Sequence, residues 1–440
     1  MALRLPAGPV DRGTFARFQA SIEAKWVLEA LAATGAATLR RRRFPAEQVV
    51  WLVLGMALFR DLSIVEVVRY LGLVLPASGS RDIADSAVAQ ARARLGPGPL
   101  RWLFEKCAET WARRSAKRLG WRGLAVYGAD GTTVRVPDSP DNRAAFGSQN
   151  AGGRRGTSGY PIARVVTLMA LRSHLLLGAR FASYRTSERQ LARDLWASVP
   201  DDSLVIVDRN FMFAKDLVPL ERGGTNRHWL TRARKLQKYR ITKRLGPGDA
   251  LAHVLVNRHA RYEDPSLPER WPMRAIRYRR RGFREQTLLT SLVDPLKYPR
   301  DEIVALYHER WEIELGYDEV KTELLEREES IRSRSPAGVE QELWGIALAY
   351  NLVRLEMERA AEVAQVPPIR MSFVACLRAI KFQLVLLAGV SPGKLSKVID
   401  RFHQELAASC VLPPRRKERL YPRAVKLKMS NYPRKRPGTK

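Results

Sequence analysis

The sequence has 440 residues, more than a single domain usually contains, so two or three structural units are expected. Its 76 lysines and arginines outnumber its 45 aspartates and glutamates, which gives a formal net charge of +31. An enzyme of small metabolites has no need for so much self-repulsion, whereas a nucleic acid partner would relieve it. The charge fits an RNA-coating protein equally well, so it indicates the class of partner and no more.

The three cysteines, Cys107, Cys376 and Cys410, are far apart and form no Cys-x-x-Cys pair. This spacing disfavours a disulfide framework and a zinc site, and it predicts buried free thiols in a reducing compartment. The N-terminus lacks the apolar segment of a signal peptide, and the longest apolar run, Val49 to Phe59, is shorter than the roughly 20 residues of a membrane span. We therefore expect a cytoplasmic protein with no membrane partner.

Helical patterns fill the chain from about residue 14 to residue 118. Apolar residues recur at helical spacing between Phe44 and Leu73, a short helix begins at Ser63, and another covers Ser86 to Leu95. Short helices around glycine-containing turns are typical of a helix-turn-helix that binds DNA. They are equally typical of a helical bundle that packs on the next domain, and the sequence leaves both interpretations open.

Strand patterns begin after residue 118. Leu124 to Asp130 predicts a strand that ends in an acid, and Thr132 to Val136 predicts its hairpin partner. Leu204 to Val207 is wholly apolar, as a buried central strand should be, and it leads directly into Asp208. Further strands are predicted over Ala163–Leu171, His174–Tyr184 and His228–Thr231, and helices over Ser187–Val199 and Phe211–Leu220. This order predicts a mixed α/β sheet covered by helices, as in the ribonuclease H-like fold.

The remaining chain predicts a β-rich insertion, two long helices and a basic tail. The helices cover Arg300 to Glu326 and Pro336 to Val363, and Pro413 to Lys440 carries eleven Lys/Arg and one acid. A basic, proline-rich tail of this kind is expected to order only on DNA. We divide the chain into a helical DNA-binding domain (1–118), the first part of the catalytic core (119–234), the β-rich insertion (235–298), the second part of the core (299–365), and a C-terminal helical segment with the basic tail (366–440).

Paired acids at strand ends suggest phosphoryl transfer on DNA. That reaction uses two divalent cations about 3.5–4 Å apart around the scissile phosphate. Such cations prefer carboxylate oxygens, which Asp130, Asp208 and one acid from a neighbouring helix would supply. Either aspartate alone is weak support, because an aspartate at a strand end is usually a turn or cap residue.

The helix that contains residues 307–321 supplies the third acid. With Tyr307 at zero and about 100° per residue, Arg310 lies at about 300°, Lys321 at about 320° and Glu314 at about 340°. Trp311 follows at about 40° and Asp318, the rival acid, at about 20°. An apolar stripe that would dock on the sheet clusters at about 220–260°: Leu306, Ile313, Val320 and Leu324. The polar face is either a solvated surface or a site, and a tryptophan on it favours a site.

The spacing of Tyr307, Arg310, Glu314 and Lys321 resembles the signature of the insertion-sequence-4 family of DDE transposases: Tyr, two residues, Arg, three residues, Glu, six residues, Lys. This resemblance favours Glu314 over Asp318. Three other blocks also resemble the family, and together they cover nearly the whole chain: residues 130–142, residues 208–213 and residues 338–354, the last with Glu342, Tyr350 and Asn351. Asn210 departs from the Gly or Ala that is common in the family.

The resemblance implies a cut-and-paste DNA transposase with a ribonuclease H-like core. It would bind double-stranded terminal inverted repeats, pair two ends as a homodimer, and cut through a hairpin intermediate. Asp130, Asp208 and Glu314 would hold two Mg2+ ions, for which Mn2+ can substitute. Tyr307, Arg310 and Lys321 would contact phosphates near the cut, and Trp311 would either stack on a displaced base or pack in the core. Trp271 and Phe283 in the insertion are candidate wedges.

Three other functions fit parts of the sequence. A structure-selective nuclease on the same fold would cut without joining. A non-catalytic DNA-binding protein derived from a transposase is disfavoured by the intact acidic triad, and an RNA-binding protein by the lack of an aromatic-rich strand signature.

Overall fold

The computed structural model describes residues 21–36, 44–71, 73, 84–148, 160–280, 283–325, 331–386 and 394–414. The predicted basic tail lies outside the described residues from position 415 onward. Within these ranges, no helix has both the length and the apolar character that a membrane crossing requires.

Among the described residues, five helices precede the sheet: α1 (Ala24–Ala33), α2 (Ala46–Leu58), α3 (Ile64–Tyr70), α4 (Asp85–Leu95) and α5 (Gly98–Arg118). Ser63 begins α3, as predicted, with a capping box in which its hydroxyl accepts from the Glu66 amide and the Glu66 carboxylate accepts from the Ser63 amide. All of α2 is buried except Glu47 and Gln48. Since this helix is apolar on every side, it is a core helix in a bundle.

Nine strands of the described chain form one sheet: β1 (Ala125–Arg135), β2 (Ile162–Ala170), β3 (Leu176–Ser183), β4 (Ser203–Val207), β5 (Arg227–Arg232), β6 (Arg240–Gly246), β7 (Asp249–Leu255), β8 (Arg270–Tyr278) and β9 (Gln286–Thr290). The order is β3-β2-β1-β4-β5-β9-β8-β7-β6. The first three are antiparallel, and β1, β4 and β5 are parallel to one another. This arrangement confirms the predicted ribonuclease H-like core.

The predicted hairpin between Asp130 and Thr132 is wrong. Strand β1 continues to Arg135 without a reversal, and its partner is β2, paired from Tyr127 opposite Ala170 to Arg135 opposite Ile162. Gly131, at which the predicted reversal would lie, packs closely against another element instead. A Cβ atom at this position would lie 2.5 Å from the Glu188 side chain. Asp130 therefore lies inside β1 and not at its end.

The insertion is β-rich, as predicted, and its strands extend the core sheet. Strands β6 to β9 are all antiparallel, and β9 pairs with β5 of the core. Two short helices, α6 (Pro140–Phe146) and α7 (Glu188–Arg193), accompany the core, α8 (Ala214–Arg222) follows β4, and α9 (Arg258–Glu263) lies in the insertion.

The predicted single helix from Arg300 to Glu326 is interrupted twice. It consists of α10 (Arg300–Tyr307), a 3-10 turn at His308–Arg310, α11 (Trp311–Asp318) and a π-helical turn at Glu319–Leu324. The predicted apolar stripe is largely confirmed: Leu306, Ile313 and Leu324 are buried and Val320 is partly buried. The polar face is less regular than a uniform 100° step implies, because a 3-10 turn and a π turn rotate side chains differently.

Helix α12 (Pro336–Val363) agrees with the predicted bounds and is the central helix of the described chain. Asn351 clamps it to β3, because its side-chain amide exchanges two 2.8 Å hydrogen bonds with the Leu176 backbone. Glu342 pairs with Arg60 and Arg92 of the N-terminal helical region. Helices α13 (Phe373–Leu386) and α14 (Leu395–Ser409) follow, and all three cysteines are buried free thiols, as predicted.

Candidate active site

Asp130 and Asp208 lie side by side on two parallel strands. In the register of β1 and β4, Ala129 is opposite Val207, so each aspartate is the next residue along its strand direction. Asp208 follows the last residue of β4, which is buried along its whole length. The apolar strand thus brings one carboxylate to the carboxyl edge of the sheet, where parallel α/β sheets commonly bind ligands.

Hydrogen bonds hold both the backbone and the side chain of Asp130 in place. The Tyr317 hydroxyl of α11 donates to the Asp130 carbonyl, and the Gly131 amide donates to the Asp130 carboxylate at 2.9 Å. Burial raises the pKa of the Asp130 carboxyl to about 7, and the nearby Glu188 carboxyl acts in the same direction. A raised pKa indicates a carboxylate that lacks enough positive charge around it.

Glu188 is an acid of this site that the sequence did not reveal. It is the first residue of α7 and lies against Gly131, with its carboxyl group next to that of Asp130. Its position depends on α7 packing across β1 and β2. No spacing in the sequence reports that contact, because residues 131 and 188 belong to different elements.

Glu314 reaches the same site through Arg310. The Arg310 guanidinium donates to the Glu314 carboxylate at 2.6 Å and lies 3.7 Å from the Asp130 carboxylate. The rival acid, Asp318, is exposed and accepts a 2.8 Å hydrogen bond from Thr322. The structure therefore associates Glu314, and not Asp318, with Asp130 through one arginine.

The other residues of the predicted polar face differ in exposure. Trp311 is 48% exposed, so it is not a core tryptophan, whereas Tyr307 is only 7% exposed. Burial raises the pKa of the Tyr307 phenol, with smaller influences of Arg310, Arg232 and Asp208. Tyr307 is thus adjacent to both Asp208 and Arg310, at the buried end of the predicted polar face.

Lys321 lies in the π-helical turn. Its ammonium group has no hydrogen-bond or ion-pair partner among the described residues, and burial lowers its pKa. An unpaired, partly buried cation gains from the approach of an anion. π-helical turns are rare and often occur at functional sites.

Three further predictions concern single residues. Trp271 is 2% exposed and packs on Trp229, with ring centroids 4.9 Å apart, so the idea that it is a surface wedge is wrong for this conformation. Its large apolar ring lies on β8 and packs in the core between β8 and β5. Phe283 is 61% exposed, and its role stays a prediction. Asn210 lies in a 3-10 turn and does not have a positive φ, so its tolerance of left-handed backbone is not used.

A second, buried polar network lies between the π-helical turn and α12. Glu319, in the π turn, accepts a hydrogen bond from the Tyr350 hydroxyl at 2.7 Å and pairs with Arg354 of α12. His174 contacts Glu319 at 3.4 Å and Glu312 at 3.1 Å. Burial alone would raise the pKa of Glu319, but Arg354 and His174 outweigh it and lower the pKa to about 2. This network fixes the helix to α12.

The carboxylates of the site are chemically suited to a divalent cation. At present the Arg310 guanidinium lies between two of them, those of Asp130 and Glu314. Carboxylate oxygens are the preferred ligands of Mg2+ and Mn2+. Within the described chain, no three His, Cys, Asp or Glu side chains are arranged to hold an ion together. The Arg310 guanidinium lies between the carboxylates of Asp130 and Glu314 and balances part of their charge. A cation at this position would compete with that guanidinium.

Two family models match the chain. The model of the insertion element 4 transposase N-terminal region matches residues 12–105, and the model of a transposase DDE domain matches residues 122–352.

Two curated proteins of Escherichia coli (strain K12) are similar to the chain. Transposase InsG for insertion sequence element IS4 is 37% identical over 416 residues, which are 94% of this chain and 92% of that protein. The putative transposase InsZ is 38% identical over 219 residues, which are 50% of this chain and 71% of that protein.

Among solved structures, the cryo-EM structure of the piggyBac transposase synaptic complex with hairpin DNA is similar with a TM-score of 0.43 and 11% identity, over 93% of this chain and 87% of that one. A likeness at this level supports no inference about this chain. The two family models and the relative that spans nearly the whole chain decide the matter: the protein belongs to the insertion-sequence-4 family of DDE transposases and is a transposase enzyme.

Proposed function

We propose that this transposase binds the double-stranded terminal inverted repeats of its insertion sequence and catalyses metal-dependent cutting and joining of DNA strands. Asp130, Asp208 and Glu314 would hold two divalent ions, Mg2+ or Mn2+. The observation that carries this proposal is the side-by-side position of the two aspartates on parallel strands, with Glu314 bound to the same arginine that faces Asp130.

The chain's own residues account for the approach of the metal and the DNA. When bound, the ions supply Lewis-acid activation of the attacking and leaving oxygens. Arg310 would exchange its carboxylate partners for a DNA phosphate, to which a guanidinium can donate two parallel hydrogen bonds. Glu314 and Asp130 would then be free as ligands. Arg310 thus couples the arrival of DNA to the completion of the acidic site.

Lys321, Tyr307 and Trp311 would contact DNA close to the cut. Lys321 offers an ammonium group that has no partner within the part of the chain that the structure describes, and Trp311 offers an exposed ring on which a displaced base can stack. Tyr307 would contact a phosphate from its buried position beside Asp208.

The insertion also presents charge that suits a DNA backbone. Residues 233–248 contain no acid, and five cations in this stretch are exposed: Lys235, Lys238, Arg240, Lys243 and Arg244. Three of them lie on β6, the edge strand of the described sheet. Exposed, like-charged side chains on a sheet edge repel other protein edges and attract phosphates.

The resemblance to the family also suggests how the ends are cut and paired. We propose that cutting passes through a hairpin intermediate and that two copies of the chain pair two ends as a homodimer. A hairpin intermediate would appear as a covalently closed DNA end on a denaturing gel. A homodimer would appear, in a mass measurement of the protein–DNA complex, as two protein copies with two DNA ends.

A plasmid that carries both ends of the insertion sequence tests the proposed function. Purified protein with Mg2+ is expected to release the excised fragment and to form joined products. Glu314→Gln and Asp130→Ala are expected to reduce cutting by at least about 10³-fold, because each removes a ligand of ions that contribute several kcal/mol.

Asp318→Asn is the matched control, since it removes an acid from the same helix without touching the proposed site. It is expected to cut like the parent. Nicked plasmid without joined product would instead support a nuclease. Full activity of Glu314→Gln, with loss in Asp318→Asn, would show that the third ligand is misassigned.

A further inference from the structure

Near the proposed site, two arginines and a phenylalanine form a stack. None of these three residues has a role in the metal site proposed above. The guanidinium carbons of Arg189 and Arg234 each lie 3.6 Å from the centroid of the Phe213 ring. Two guanidinium groups cannot share one face of a ring at this distance, so the ring lies between them. The stack holds both guanidinium planes in fixed orientations.

The three side chains come from three separate segments near the edge of the sheet that carries the aspartates. Arg189 is in the first turn of α7, next to Glu188, which contacts Gly131 beside Asp130. Phe213 lies five residues after Asp208, at the start of α8. Arg234 lies two residues beyond β5, whose end is parallel to that of β4. The stack therefore borders the proposed catalytic acids.

The charges of the stack are not balanced within the described chain. Asp216 is fully buried, and its two carboxylate oxygens bond to Arg189 and, at 2.8 Å, to Arg193. The Arg234 guanidinium has no hydrogen-bond or ion-pair partner among the described residues. Three guanidinium groups thus share one carboxylate. Burial, followed by the charge of Arg189, lowers the pKa of Arg234, so an anion at this point would be stabilised.

We propose that the Arg189–Phe213–Arg234 stack binds a phosphodiester of the DNA next to the bond that is cut. Arg234 donates the hydrogen bonds, Phe213 fixes the plane of its guanidinium, and Arg189 is a positioning residue held by Asp216. This inference rests on the proposed function. It adds a phosphate contact, made by residues before the β-rich insertion, to those of the catalytic helix.

A chemical double-mutant cycle tests the contact. The probe is a duplex with the end of the insertion sequence, in which single phosphodiesters are replaced one at a time by uncharged methylphosphonates. Binding to the full chain is measured by fluorescence anisotropy with Ca2+ in place of Mg2+, so that the DNA stays intact. At one position near the cut, the replacement is expected to weaken binding by the parent about tenfold, the usual effect of losing one charge-assisted contact.

With Arg234→Ala, the same replacement is expected to have no further effect, because the contact is already lost. Arg234→Lys is expected to restore only part of the coupling, since an ammonium group does not stack as a guanidinium does. Phe213→Leu keeps the cation and is expected to reduce the coupling. Replacements on the cut strand and on its complement distinguish which strand supplies the phosphate.

Arg101→Ala is the matched control. Arg101 also lies over an aromatic ring, that of Trp344, but it is paired with Glu105. It is expected to leave the parent's full sensitivity to the methylphosphonate.

If every methylphosphonate weakens Arg234→Ala and Arg234→Lys as much as the parent, the inference is overturned while the proposed function stands. A parent chain that neither binds nor cuts the ends would overturn both. The melting temperatures of the variants confirm that they are folded.

Discussion

The segment Trp311–Leu324 has carboxylates that pair with arginines on two of its sides, and the two sides differ in how exposed these pairs are. On the front, Arg310 joins Glu314 and Asp130, and these side chains are 17–37% exposed. On the back, Arg354 and His174 hold Glu319, and these side chains are 1–19% exposed. The back is a buried network that joins the segment to α12, whereas the front carries two of the acids that we propose as metal ligands. We therefore expect the back face to matter for stability and the front face for the proposed function.

Arg354→Ala should have the largest effect on stability. It leaves Glu319 buried without its main cation, and the loss of one partner of a buried pair costs about 3–5 kcal/mol. The free energy of unfolding from a urea titration measures this loss. Arg101→Ala, which removes an exposed pair with Glu105, should cost less than about 1 kcal/mol. Equal losses in the two variants would show that the back network does not anchor the helix.

Asp130→Asn should stabilise the metal-free protein in a manner that depends on pH. The pKa of Asp130 is raised from 3.8 to about 7, so the folded state binds this proton more tightly than the unfolded state does. The resulting destabilisation is absent below pH 4, grows up to about pH 7 and is complete above it.

The asparagine removes this destabilisation. We expect its advantage to be about 1–3 kcal/mol at pH 8.5 and to vanish towards pH 4, measured by thermal unfolding in EDTA. An advantage that does not change with pH, or a loss of stability at pH 8.5, would contradict the environment described for Asp130.

Glu314→Gln should have the smallest effect on stability. Its pair with Arg310 is partly exposed and spans one helical turn, and such pairs contribute about 0.3–0.5 kcal/mol. The urea midpoint is expected to stay within the error of the parent value while cutting is lost. A loss as large as that of Arg354→Ala would show that the front face is structural, and the contrast between the faces would fail.

Local patterns were sufficient for much of the fold. The apolar run before Asp208, the capping signal at Ser63 and the bounds of Pro336–Val363 are properties of neighbouring residues, so the sequence reports them directly. The turn expected at Gly131 failed for a non-local reason. This glycine leaves room for the Glu188 side chain, and the chain does not reverse there.

The candidate site divides in the same way. Glu314 was preferred to Asp318 because of the resemblance to the family signature, and the structure places Glu314 with Arg310 and leaves Asp318 exposed. Tyr307 belongs to the predicted polar face, and its burial at the 3-10 turn is a feature that a regular helical wheel does not contain. Short 3-10 and π turns depend on tertiary contacts, such as the pair between Glu319 and Arg354, which no local rule includes.

The sequence by itself determined the family resemblance, the positive charge, the apolar strand that leads into Asp208 and the helix that carries Glu314. Each of these is set by residues within one or two turns of a helix or along one strand. Only the tertiary structure decided that Asp130 lies inside β1, that Glu188 joins it, that Arg189 and Arg234 enclose Phe213, and that Arg354 holds the π turn. These contacts join segments far apart in the chain, and their geometry comes from how the helices pack on the sheet.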